Sequence, residues 1–121
     1  LSKILIILGE TPFQSEIVDH SLKILRTARQ SGHDASLFLF MDGVYNMTKT
    51  QRGDLFKTAS ITTELEALSK MGVRIMCCKL CTELRGIGGT LKPDFVEETG
   101  VGELNEEIKE ADSVLSFLGG T

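Results

Sequence analysis

The stretch VRIMCCKLCTELRGIGG, Val73 to Gly89, holds every cysteine of the chain: Cys77, Cys78 and Cys81. It opens on a short apolar run, passes through two adjacent cysteines, and continues in residues that favour helix until Gly86 breaks the pattern. This reading predicts a strand over Val73–Cys77, a junction at Cys78, and a helical turn over Lys79–Gly86 with Cys81 about one turn in. A strand that runs straight into a helix is the repeating unit of an α/β fold, and the rest of the chain repeats it.

Upstream, KILIIL (Lys3–Leu8) is a continuous apolar run ended by Gly9, the pattern of a strand buried on both faces. After Thr11 and Pro12, a cap and first-turn pair, Ile17, Val18, Leu22, Leu25 and Ala28 recur at helical spacing until Ser31 and Gly32. A second strand is predicted over Ala35–Met41, closed by the turn-favouring Asp42 and Gly43. From Tyr45 to Thr62 the periodicity dissolves, which predicts a long loop, bare or with a short helical piece. Leu65, Leu68 and Met71 mark a helix ended by Gly72. Downstream of the cysteines, DFVEE predicts a short strand, VGELNEEIKEA a helix with Leu104, Ile108 and Ala111 on one face, and SVLSFL a final apolar strand. The alternation predicts one three-layer α/β domain over residues 1–121. About five mainly parallel strands are flanked by helices on both faces, where right-handed crossovers put them.

Composition narrows the function classes. Apolar residues make up 41% and charged residues 25% of 121, ordinary for a globular domain able to bury a core without staples. Thirteen basic and 17 acidic residues leave a formal charge of −4, and the basic residues are scattered, so no stripe is offered to nucleic acid. No apolar run approaches the roughly 20 residues that span a bilayer. LSKILIILGE stops at Gly9 and reads as a strand, not an export signal. An odd number of cysteines crowded into one segment argues against a secreted disulfide framework and for a reducing compartment, the cytoplasm. No cofactor is called for: GIGG follows the cysteine helix and lacks the strand-to-helix setting of a phosphate cradle. Three clustered cysteines with only His20 and His33 elsewhere do not form a four-ligand zinc set, so no metal is expected.

In an open parallel sheet chemistry gathers beyond the carboxyl ends of the strands, where the cysteines fall. Cys77, inside the apolar run, reads as packing. Cys78 is placed to have its thiolate stabilised by the unpartnered first amides of the following helix, with its sulfur expected to emerge into solvent. Cys81 reads as a resolving thiol or a bystander. Arg85 lies four residues past Cys81 and seven past Cys78, on their helical face, and either adds positive potential or serves the helix C-terminus. The loops after strands one and two should bring Glu10, Thr11, Phe13, Gln14, Tyr45 and Asn46 around Cys78 as pocket lining. Thr11 reads also as a cap, Tyr45 as a subunit-interface residue, and His20 as exposed or partnered by a nearby carboxylate.

These segments also carry a resemblance. GHDASLFLFMDGVYN, with Gly43, Val44, Tyr45 and Asn46 the closest match, resembles the second strand and turn of the DsrE/DsrF-like proteins of sulfur relay. In CCKLCTELRGI, Cys78 stands seven residues before Arg85 and eight before Gly86, where the DsrE- and TusD-like branch carries its sulfur-bearing cysteine. From Phe95 through GVGELNEEIKEADSVLSF the tail resembles the closing strand, helix and strand of the family. Lys79, Leu80 and Cys81 stand where that branch shows small apolar residues. The resemblance implies a parallel α/β fold, a homo- or hetero-oligomer, and a persulfide held on one cysteine, taken from a donor protein and passed to an acceptor thiol. Two other classes fit the residues: a thiol redox protein cycling a Cys78–Cys81 disulfide, and a small-ligand-binding module in which the cysteines only pack.

Overall fold

The Ile-rich run at the start of the chain becomes the middle of the sheet. In a computed structural model, which describes residues 1–119, β1 (Lys3–Leu8) pairs with β2 (Asp34–Leu39) on one side and β5 (Ser113–Phe117) on the other. β3 (Arg74–Cys78) and β4 (Val96–Thr99) extend the sheet beyond β2, giving the order β4-β3-β2-β1-β5 with every pairing parallel. A strand flanked on both sides and covered on both faces has no polar face to show, so Leu5, Ile6, Ile7 and Leu8 are all buried. No described helix is long and apolar enough to cross a membrane.

Three crossovers run in one direction, from β1 to β4, and the last returns across the sheet to β5. Right-handedness therefore puts α1 (Glu16–Gln30) and α2 (Ile61–Lys70) on one face and α4 (Val101–Glu110) on the other. The short α3 (Lys79–Leu84) sits at the carboxyl end of β3. Because side chains alternate along a strand, register assigns the faces. Lys3, Leu5 and Ile7 of β1 share the α4 face with Arg74, Met76 and Cys78 of β3 and with Glu97 and Thr99 of β4, whereas Cys77 points to the helices α1 and α2.

Several elements depart from the expected boundaries. β2 ends at Leu39, not Met41, and Met41–Met47 forms a 3₁₀ turn that crosses the strand ends. The predicted long loop holds the end of that turn and a second one, Gly53–Phe56. Its order comes from polar side chains: the Asn46 amide donates to Glu10 O and Gly43 O, and Gln51 and Thr62 donate to Asn46 O. Helix α1 begins at Glu16 with Ser15 as its cap, its hydroxyl accepting from Ile17 N–H; Thr11 and Pro12 precede it in a turn where Phe13 has φ 63°. In α4 the face is rotated from the one expected: Leu104 and Glu107 are buried and Ile108 is 40% exposed. Arg74 is the reason. It pairs with Glu97, Glu103 and Glu107, while Lys3 reaches Glu107 at 3.5 Å and Glu110 at 2.9 Å, so an ionic cluster takes the place an isoleucine was expected to fill.

One close approach lets the 3₁₀ turn lie flat on the sheet end. A Cβ on Gly43 would stand 1.9 Å from Leu8 O, a contact that no side-chain shift relieves because the obstacle is backbone. Gly43→Ala should therefore lose about 2–4 kcal/mol in denaturant unfolding. Gly102→Ala, in α4 with open space around the new methyl, should gain about 0.5 kcal/mol.

Candidate functional site

Cys78 does two jobs at once. It is the last residue of β3, paired in register with Thr99, and it is the N-cap of α3, with extended backbone at φ −71° and ψ 117°. Its sulfur stands where a serine or aspartate oxygen usually caps a helix and accepts the Cys81 N–H at 3.4 Å. The Thr82 hydroxyl donates to Cys78 O at 2.8 Å, which ties the same turn back to the strand end.

Cys81, one turn on, shares the site. Its sulfur accepts the Met41 N–H at 3.3 Å. Burial, and then the neighbouring Cys78, push the Cys81 thiol above its ordinary range. Cys77 lies on the other face, wholly buried, and burial pushes its thiol up to about 11. It is a packing residue, as the apolar run around it implied.

The expected opening is not there. Cys78 is 2% exposed and Cys81 9%, so the sulfur of residue 78 does not emerge into solvent. The 3₁₀ turn that replaced the predicted end of β2 packs on Cys81: Met41, at φ 52°, donates its N–H to the Cys81 sulfur. Arg85 closes the clasp, its Nε 2.8 Å from Asp42 Oδ1 and its Nη1 3.1 Å from Cys81 O. Arg85 thus joins the cysteines as expected, but its charge is matched by Asp42 and its contact with Cys81 is to the carbonyl. Asp42 lies 43 residues away and carried only a turn signal, so no spacing pointed to it.

The other expected lining residues divide. Tyr45 lies within electrostatic reach of Arg85. Asn46 is fully buried and braces the turn against the loop after β1. The Thr11 hydroxyl donates to Gln14 Oε1 at 3.1 Å, and Gln14 lines a shallow cavity of about 200 Å³ with Phe13, Ser15, Glu16 and Asp19. Thr11 and Gln14 are therefore occupied with each other. Neither Cys78 nor Cys81 lines that cavity or the three larger ones of about 320–400 Å³. His20 is exposed beside Glu16, as anticipated.

With this geometry in hand the comparisons with known proteins are informative. Residues 2–117 match the DsrE/DsrF-like family, and the chain belongs to it. The protein YchN of Escherichia coli is 33% identical over 120 residues, covering 97% of this chain and 100% of that one. An uncharacterized protein of Methanopyrus kandleri is 26% identical over 117 residues, covering 94% and 93%. The crystal structure of the Escherichia coli YchN protein superposes with a TM-score of 0.86. A conserved protein of Bacteroides thetaiotaomicron, at 16% identity and a TM-score of 0.70, shares the fold.

The clasp is a surface ion pair, and its removal is mild. Asp42→Asn should leave unfolding stability within about 1 kcal/mol while raising the alkylation rate at Cys81 by about threefold. In the wild type the Cys81 rate should keep climbing above the pH at which an ordinary thiol has levelled off, since its ionisation is displaced upward, and Cys77 should react last. Alkylation followed by peptide mapping reads all three sites.

Proposed function

We propose that this protein carries sulfur as a persulfide on Cys78 and passes it to an acceptor thiol, acting in the cytoplasm between donor and acceptor proteins and as part of an oligomer. The observation that carries the reading is the Cys81 N–H held 3.4 Å from the Cys78 sulfur, a fixed donor aimed at the atom on which negative charge must reside in the attacking form. Family membership supports it: residues 2–117 match the DsrE/DsrF-like family, and the segment around Cys78 resembles that of its sulfur-relay branch.

The chemistry is an exchange at sulfur. The Cys78 thiolate attacks the outer sulfur of a donor persulfide, R–S–SH; a new S–S bond forms on Cys78, the donor S–S bond breaks, and R–S⁻ leaves. In the second half an acceptor thiolate attacks the outer sulfur now on Cys78, which returns to thiolate as the acceptor becomes the persulfide. No net electron is gained or lost. Burial of Cys78 adds a condition: the clasp of Met41, Asp42 and Arg85 opens when a partner docks. Enclosure then has a use, since a persulfide shut away from stray thiols keeps its outer sulfur until the proper acceptor arrives.

One observation favours a second reading. Cys78 and Cys81 are one helical turn apart, with the Cys81 N–H on the Cys78 sulfur, the kind of neighbourhood that a protein cycling a disulfide would need. Intact mass separates the two. Treated with glutathione persulfide, the reduced wild type should gain one sulfur, and Cys78→Ser should gain none. Loss of two hydrogens per chain, reversed by a dithiol and abolished in Cys81→Ser, would instead establish the redox reading; a sulfur adduct that persists in Cys78→Ser would move the carrier to Cys81.

A further inference from the structure

Around Cys78 nearly every polar group has an assigned partner. The Cys81 amide serves the Cys78 sulfur, the Met41 amide serves the Cys81 sulfur, the Thr82 hydroxyl serves Cys78 O, and Arg85 is divided between Asp42 and Cys81 O. Thr99 is not among them. It ends β4, faces the same side of the sheet as Cys78, and stands directly across from it in the β3–β4 register. Its hydroxyl oxygen is buried and has no hydrogen-bond partner among the described residues. Such a group forfeits its bonds with water and receives none in return, an arrangement that native proteins retain at few positions.

We propose that Thr99 is a positioning residue whose hydroxyl is held in reserve for sulfur-borne negative charge on Cys78. This rests on the reading of Cys78 as the sulfur carrier and adds the second donor that reading lacks. A thiolate at the end of β3 has one fixed donor, the Cys81 amide, which lies along the chain toward α3. Thr99 stands on the neighbouring strand, on the same face as Cys78, so its hydroxyl would reach the sulfur from a side other than that of α3. In the resting structure the hydroxyl makes no hydrogen bond to this sulfur or to any other described group. When charge develops on that sulfur, or on the outer sulfur bonded to it, the hydroxyl becomes a charge-assisted donor. The orphaned group is thus satisfied in the charged states that the exchange passes through, a differential interaction of the kind that lowers a barrier. Threonine also suits the last position of a strand, where its branched Cβ limits χ1 and keeps the hydroxyl from swinging away.

The test uses the full chain in wild-type, Thr99→Val, Thr99→Ala and Thr99→Ser forms. The iodoacetamide rate at residue 78 is measured at fixed pH by peptide mapping. The lifetime of the adduct formed with glutathione persulfide is measured by intact mass, and thermal unfolding confirms that each variant is folded. Thr99→Val, nearly isosteric with threonine, should slow alkylation at Cys78 about tenfold and shorten the adduct lifetime, while Thr99→Ser stays within about twofold of wild type. Thr99→Ala serves the same purpose should the valine variant not fold. Wild-type alkylation in the valine or alanine variant overturns the proposal, as does a loss in Thr99→Ser equal to theirs, which would mark packing and not the hydroxyl. The two readings fail separately. If wild-type Cys78 takes up no sulfur yet Thr99→Val still slows its alkylation, the relay falls and the hydroxyl's role toward the thiolate stands; if sulfur loads and transfers equally well in Thr99→Val, the relay stands and this inference falls.

Discussion

A single main-chain amide, that of Cys81, couples the architecture to the chemistry. Helix starts leave their first N–H groups without partners, and most proteins supply a hydroxyl or carboxylate oxygen to meet one of them. Here the acceptor is the sulfur of Cys78, so the capping requirement of α3 and the orientation of the thiol are one constraint. The helix begins where it does because Cys78 caps it, and the sulfur points where it does because the helix begins there. The strand end is likewise fixed, since Cys78 still pairs with Thr99 in β4 and its carbonyl takes the Thr82 hydroxyl. Little freedom is left in the backbone that carries the thiol, which suits the proposed role of presenting one atom to a partner.

Enclosure of the neighbouring Cys81 sulfur follows from a different contact. Gly43 lies against the carbonyl of Leu8 at a distance that excludes any side chain, and this lets the Met41–Met47 turn fold down over the strand ends instead of arching away. Asn46, fully buried, fastens the turn to the loop after β1. Only the leading edge of the turn, Met41 and Asp42, depends on Arg85 and the Cys81 sulfur for its hold. The fixed part and the releasable part are therefore distinct. An ion pair with Asp42 largely exposed is a weak latch of roughly 1 kcal/mol or less, small enough for a docking partner to displace.

What could be read from the residues alone follows from how local each signal was. β1, the α1 periodicity and the strand–cysteine–helix order were legible because they rest on patterns within a dozen residues, and the family resemblance placed Cys78 at the same spot that helix-end physics chose. The misreadings share a cause. Met41 looked like strand because it continues the apolar run of β2, but the tertiary contact at Gly43 turns the chain there. Ile108 looked like core on hydropathy, but Arg74, 34 positions earlier, brings an ionic cluster under α4 and draws Glu107 inward. Glutamate buries only when paired, and no window around residue 107 contains the partner. The enclosure of the cysteine corner was missed for the same reason: Met41 and Asp42, which meet Cys81 and Arg85 there, come from another βα loop.

That ionic cluster has a bearing on the thiol although it lies at the opposite end of the strands. β4 is an edge strand of four residues, paired on one side only, and such a strand is poorly held by its ladder alone. Arg74 clamps it from both directions, bonding Glu97 within β4 and Glu103 and Glu107 on the helix that follows. Lys3 adds ties from the centre of the sheet to Glu107 and Glu110. The result is that β4 and α4 are fixed to β1 and β3 as one unit, and the last residue of β4 inherits that fixity. Thr99 is this residue. A hydroxyl on a fraying edge would sample many positions and favour no charge state of its neighbour, whereas one held by a clamp one strand-length away stays across from Cys78, as the proposed exchange requires. The cost of burying Glu107 beneath α4 thus reads as the condition for keeping a donor in place beside the sulfur.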